Sequence, residues 1–186
     1  MLWLWVLVGV LALLVVFLVW GYNRLVRLRN EADTGWANID VQLQRRADLI
    51  PNLVEAVRGY AAHERGVFEE VTKARVALRD AGSPGAAAEA NDVLSAALGR
   101  LFAVAEAYPD LQASENFLRL QEDLTDTEDK ISAARRYYNA TVMRFNTAIQ
   151  SIPWLLVARP LGFRDKEFFS AEGDVSAPEV SFSTAT

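Results

Sequence analysis

The sequence predicts an all-α protein: an N-terminal transmembrane helix followed by an antiparallel up-down four-helix bundle of long helices with coiled-coil-like packing. Apolar residues recur every three or four positions along most of the chain, which is typical of helices with one buried face. The first 23 residues contain no charged side chain, which is typical of a membrane span. We therefore divide the chain into an anchor at 1–23, a helical domain at 24–170 and a tail at 171–186 that is predicted to be disordered.

The anchor contains a run of 19 consecutive apolar positions at 2–20, which as a helix is about 29 Å long and matches the hydrocarbon core of a bilayer. Aromatic residues stand at both ends, as in interfacial belts: Trp3, Trp5, Trp20 and Tyr22. A cleaved secretory signal would need a basic leading region and a small-residue cleavage site, which this segment lacks. A buried core helix of this length would show a polar face. We expect a retained anchor that contacts the lipid bilayer through residues 2–20.

The charges that flank the anchor predict its orientation. Arg24, Arg27 and Arg29 follow it directly, and no Lys or Arg precedes it. The positive-inside rule then places the N-terminus outside and the helical domain in the cytoplasm. We expect a single-pass protein of the cell (inner) membrane.

Four apolar stripes define the helices of the domain. They run from Leu25 to Ile50, from Leu53 to Leu78, from Ala87 to Tyr108 and from Phe117 to Ile152. Turn-forming residues separate the later stripes: a loop at Gly82-Ser83-Pro84-Gly85, a helix end before Pro109 and a helix N-cap at Ser114.

Pro51 leaves the path of the chain between the first two stripes open. If Asp48 caps a new helix with Pro51 in its first turn, the chain reverses there. If Pro51 only kinks a continuous helix, residues 2–81 form a rod. We favour the reversal, because a rod would leave the apolar stripe from Trp36 to Leu43 without intramolecular cover.

The apolar segment at the end of the fourth helix, Ile152 to Val157, also has two interpretations. In the reversing topology it returns to the membrane surface, where it either dips into the interface or caps the bottom of the bundle core. We favour the core cap, because the segment is short.

Composition excludes several classes of function. The 186 residues include 19 Lys and Arg against 24 Asp and Glu, whereas nucleic-acid binding needs a clustered basic face. No Cys and a single His exclude thiolate nucleophiles, Cys-ligated metals and the paired Glu-x-x-His motifs of di-metal bundles. We expect no catalytic, cofactor-binding or metal-ligating residues, no cofactor, no nucleic-acid partner and no small-molecule substrate.

His63 and Glu64 form the one polar pair that stands out. The second stripe places Glu64 in its apolar seam, where a carboxylate is costly unless it is paired. We expect an ion pair with an arginine of a facing helix that fixes helix register; the candidates are Arg45, Arg46, Arg135 and Arg136. The functional alternative is a proton-responsive switch built on His63.

Several segments closely resemble the LemA family over about residues 2–170. The segments are Tyr22–Asn30, Trp36–Arg46, Asp48–Val54, Tyr60–Glu64, Glu106–Leu111, Glu115–Phe117 and Arg135–Asn139. The combination of DLIPNLV with EAYPDL is specific. The resemblance implies a bacterial single-pass membrane protein with a cytoplasmic antiparallel helical bundle and no established enzymatic activity. Gly35 and Gly66 depart from what we expect in a helix and predict local loss of rigidity.

These observations predict a membrane-anchored, non-enzymatic scaffold or adaptor that displays a cytoplasmic helix bundle for protein–protein interaction or membrane organisation. Tethering raises local concentration, so weak contacts between proteins become effective. The expected partners are the bilayer and proteins still to be identified, further copies of this chain among them. The alternative is a metal- or proton-sensing, or enzymatic, bundle centred on His63 and Glu64.

Overall fold

The computed structural model describes residues 1–170, and all regular secondary structure in this range is helical. The predicted all-α class is therefore confirmed, while the predicted tail at 171–186 lies outside the described residues. The helices are α1 (Leu2–Arg58), α2 (Arg65–Asp80), α3 (Pro84–Ala105), α4 (Pro109–Gln112), α5 (Glu115–Gln150) and α6 (Trp154–Val157). They belong to two compact units, and α1 and α5 contribute residues to both. The first unit holds residues 1–39 and 133–167, and the second holds 40–132 with 168–170.

The favoured reversal at Pro51 is wrong, because α1 continues through this proline to Arg58. Proline has no N–H, so the Ala47 carbonyl loses its normal helical donor four residues on. Arg75 of α2 replaces that donor: its Nε lies 2.7 Å from the Ala47 carbonyl oxygen. The chain turns at residues 59–64 instead.

Helix contacts within the second unit run in alternating directions. Arg75 meets Ala47, and the Arg58 guanidinium lies 5.5 Å from the centre of the Phe68 ring, so α2 runs antiparallel to the end of α1. Glu70 pairs with Arg100, which joins α2 to α3 across a three-residue connection. The core of this unit is formed by buried side chains from α1, α2, α3, α4 and α5: Ile50, Leu53, Val57, Phe68, Val71, Leu94, Leu101, Leu111, Phe117 and Leu124.

Helix ends follow the predicted turn residues with small shifts. The Ser83 hydroxyl accepts the Ala86 N–H at 3.3 Å, so α3 starts at Pro84, inside the predicted loop. It ends at Ala105, three residues before the predicted limit at Tyr108. Helix α5 begins directly after Ser114, as predicted.

In the first unit, α5 runs antiparallel to α1. Arg144 lies 3.7 Å from Glu31, and the Tyr138 and Trp36 rings are 5.9 Å apart. A Cβ at Gly35 would lie 3.3 Å from the Tyr138 Cα, so this glycine permits close helix packing.

Candidate functional site

The anchor segment is the most exposed apolar surface of the first unit. Every residue from 1 to 20 is exposed, and one 18-residue window of α1 has a mean hydropathy of 3.0. By length and composition, this helix can cross a membrane. Its end is marked by the Arg24 guanidinium, which lies 5.6 Å from the centre of the Trp20 ring.

A compact aromatic cluster follows the anchor within the same unit. Its buried members are Leu25, Phe145, Ile149, Trp154, Ala158 and Phe163. The Trp154 ring stacks on Phe17 with 5.3 Å between ring centres and 17° between planes. It also occupies the space where a Cβ of Gly21 would stand. Glycine at this position is therefore what lets Trp154 lie against the end of the anchor.

The segment that carries Trp154 has two faces. Trp154 and Val157, one helical turn apart, pack onto the cluster. Leu155 and Leu156 between them are 49% and 73% exposed, and Ile152 is 82% exposed. The favoured prediction, that this segment caps the core, therefore holds for the face that carries Trp154 and Val157. The opposite apolar face is uncovered within the unit.

The chain after α6 is tied to α5 by hydrogen bonds. The Asn146 side chain donates to the Lys166 carbonyl and accepts the Lys166 N–H, both at 2.9 Å. The Tyr138 hydroxyl donates to the Glu167 carbonyl at 2.7 Å. Burial, with the nearby charges of Glu167 and Asp33, raises the pKa of Tyr138 to about 12. This Tyr138 therefore stays neutral at physiological pH and acts as a hydrogen-bond donor.

In the second unit, His63 and Glu64 lie in the turn between α1 and α2, outside any helix. His63 is exposed and Glu64 is partly exposed. The prediction that Glu64 occupies an apolar seam is wrong, because the second stripe spans a break between two helices. Within residues 1–170, His, Asp and Glu side chains form no group of three or more that could hold a metal ion.

Arg46 is the buried charge of the second unit. It is 5% exposed, donates to Asn91 and donates to the Ser95 hydroxyl at 2.9 Å. Its Nη1 also lies 2.5 Å from a carboxylate oxygen of Glu128 on α5. Arg46 was one of the predicted arginines, but its acidic partner is Glu128 rather than Glu64.

The chemistry of this cluster favours a structural role. Burial lowers the pKa of the Arg46 guanidinium, and the charges of Glu128 and Asp92 oppose that shift. A guanidinium remains protonated near neutral pH and is a poor acid or base. The cluster joins α1, α3 and α5 by directional contacts. If any of these helices slid along its axis, the buried Arg46 guanidinium would lose its partners. The sequence signal was Arg46 itself, an arginine adjoining the buried stripe position Ala47.

A groove of about 850 Å³ lies beside α2 in the same unit. It is lined by the apolar side chains Ala62, Phe68, Val76 and Ala77, the polar Thr72, three cations, Arg58, Arg65 and Lys73, and one carboxylate, Glu69. Its composition suits an amphipathic segment with acidic residues. The sequence did not reveal it, because the groove needs the end of α1 and α2 side by side.

One family model and several known proteins are similar to this chain. A model described as the LemA family matches residues 35–182. The magnetosome protein MamQ of Magnetospirillum gryphiswaldense is 29% identical, over 86% of this chain and 68% of its own length. The magnetosome protein MamQ 2 of Paramagnetospirillum magneticum is 27% identical with the same coverage. Protein LemA of Metamycoplasma hominis is 29% identical, over 80% of this chain and 68% of its own length.

Proposed function

This chain belongs to the LemA family, and we propose that it is a membrane-anchored, non-enzymatic helical scaffold or adaptor. The observation that carries the proposal is the bare apolar segment 2–20, which continues without a break into the rest of α1. In water this surface would drive aggregation, whereas in a bilayer its exposure is favourable. Among its relatives are proteins named magnetosome proteins, a name that suits a role in membrane organisation.

The proposed orientation has the N-terminus outside and the helical domain in the cytoplasm. Arg24, Arg27 and Arg29 support it by the positive-inside rule. Arg159 and Arg164 add to this bias, because they adjoin Ala158 and Phe163 of the aromatic cluster that follows the anchor. Neither 21–30 nor 151–164 contains an acidic residue.

Membrane insertion and orientation can be tested by single-cysteine labelling, because the chain has no cysteine of its own. We expect full-length protein to stay with membranes after alkaline carbonate extraction. A cysteine placed after the natural C-terminus should react with an impermeant maleimide only after the inner membrane is opened. Extraction by carbonate would refute anchoring, and labelling in intact cells would refute the orientation.

We further propose that the helical segments of the second unit, rather than the whole of 24–170 as predicted, form an antiparallel four-helix bundle. The alternating contacts between α1, α2 and α3 support this arrangement, and the T-shaped contact of Phe102 with Phe117 extends it to α5. Such a bundle presents stable outer faces to partners.

The groove beside α2 is the proposed partner surface of the scaffold. Three cations against one carboxylate favour an amphipathic protein segment with acidic residues. A photo-crosslinker at Val76, 48% exposed in the groove, should capture a specific protein in intact membranes. The same probe at Val93, 51% exposed on α3, is the matched control. Lys73→Glu should abolish the Val76 product, and an unchanged product would refute the role of the groove.

A further inference from the structure

The segment around α6 lies at the level of the last turn of the anchor. Trp154 stacks on Phe17 and fills the space above Gly21. Phe17 precedes Trp20 by three residues, which is about 4.5 Å of helix. If residues 2–20 span the bilayer, this contact holds α6 beside the part of the anchor that enters the lipid.

The outer face of this segment has no cover within its unit. Ile152, Leu155 and Leu156 form an exposed apolar ridge, whereas Trp154 on the opposite face is 8% exposed. A single helical turn with one anchored aromatic face cannot rotate its leucines inward without losing the Phe17 stack. The ridge is therefore held outward by the same contact that holds the segment against the anchor.

Arginines outnumber carboxylates in the stretches that flank the ridge, where the adjoining carboxylate Asp165 accepts a hydrogen bond from Gln150. Arg24, Arg27 and Arg29 follow the anchor, and Arg159 and Arg164 follow α6. All five are exposed, and the two stretches 21–30 and 151–164 contain no carboxylate. Arginines beside an apolar ridge are the arrangement that binds an interface of anionic phospholipid headgroups over acyl chains.

We propose that the ridge of Ile152, Leu155 and Leu156 is a second membrane contact. It inserts into the headgroup–acyl boundary of the leaflet that surrounds the C-terminal end of the anchor, near Phe17 and Trp20. The inference rests on the proposed anchoring and adds to it. A protein held by one membrane helix can rotate about the axis of that helix. A second lipid contact prevents this rotation and therefore fixes the tilt and rotation of the first unit relative to the bilayer. The lipid partner is an anionic phospholipid surface, selected by the five arginines.

The test uses full-length chains with one environment-sensitive fluorophore each, reconstituted into liposomes of zwitterionic and anionic phospholipids. Probes replace Ile152 and Leu156 in the ridge. Tyr137, 49% exposed on α5, is the matched control. Its neighbour Tyr138 packs beside Trp36, about 24 Å of helix beyond Trp20. A probe at Val10 reports insertion of the anchor itself, through quenching by lipids that carry a nitroxide deep in the acyl chain, because Val10 lies near the middle of the span.

We expect the probes at 152 and 156 to shift their emission to the blue. Lipids that carry a nitroxide near the headgroup should quench most of this emission, and aqueous iodide should quench little. The probe at 137 should show the reverse, with strong iodide quenching and no lipid quenching. The ridge probes should lose their blue shift when Gly21→Leu displaces Trp154.

Three outcomes overturn the proposal and are distinguishable. Lipid quenching at 10, with strong iodide quenching and no lipid quenching at 152 and 156, refutes the second contact alone. Protection of 152 and 156 from iodide without lipid quenching means that another protein copy covers the ridge. Absence of lipid quenching at 10 refutes the anchoring and, with it, the ridge contact.

Discussion

Replacing Arg75 by methionine tests how α1 passes through Pro51. The missing N–H of Pro51 leaves the Ala47 carbonyl without its helical donor, and Arg75 Nε supplies one at 2.7 Å. A hydrogen bond from a charged donor contributes about 1.5–3 kcal/mol. Arg75 is only partly buried, so we expect Arg75→Met to lower the free energy of unfolding by about 1.5 kcal/mol, the lower end of that range.

The specific prediction concerns the coupling of the two residues. Pro51→Ala restores a backbone N–H donor to the Ala47 carbonyl. In the Pro51→Ala variant, Arg75→Met should therefore lower the free energy of unfolding only slightly. The coupling free energy from the double-mutant cycle should therefore be about 1 kcal/mol. Urea unfolding of the full chain in detergent, followed by circular dichroism, measures it. Arg79→Met, an exposed arginine on the same helix, is the control and should change little. Equal losses from Arg75→Met in both backgrounds would refute the explanation.

Three further predictions concern the two units separately. Gly21→Leu should destabilise the first unit by about 1–3 kcal/mol through overpacking against Trp154, and Trp154→Ala should relieve most of this loss in thermal unfolding. Glu128→Leu should lower the free energy of unfolding by less than the roughly 3–5 kcal/mol lost when a fully buried pair is broken, because the Glu128 side chain is 46% exposed while Arg46 stays buried; adding Arg46→Met should recover stability in urea, and no recovery would argue against the pair. Because the folded state raises the pKa of Tyr138 from 10.0 to about 12, its contribution to stability is complete below pH 10 and is lost as pH rises toward 12; the stability difference between wild type and Tyr138→Phe should shrink over that interval.

Local patterns in the chain predicted its main elements correctly. Periodic apolar residues predicted helices throughout, and the structure contains them from Leu2 to Val157. Ser114 predicted the start of α5, and the uncharged run at 2–20 predicted a helix able to cross a membrane. These features depend on residues within a few turns of one another, so a pattern of side chains carries them completely.

The prediction at Pro51 failed because the outcome depends on a residue far along the chain. Pro51 stays inside a helix because Arg75, 24 residues later, provides the donor that proline removes from its own turn. Glu64 continues the apolar spacing of its neighbours, yet it lies in a turn because the stripe belongs to two helices. Gly35 weakens a helix in isolation, but here it admits Tyr138 of α5.

Periodicity and hydropathy alone therefore establish that this chain is helical and where it can meet a bilayer, because both follow from short-range spacing and transfer free energy. The aromatic contact between Phe17 and Trp154, the Arg46–Glu128 pair and the uncovered ridge beside the anchor required folding to bring distant segments together. No local pattern encodes them, since each contact is stabilised by complementary shape or charge on residues more than 80 positions apart.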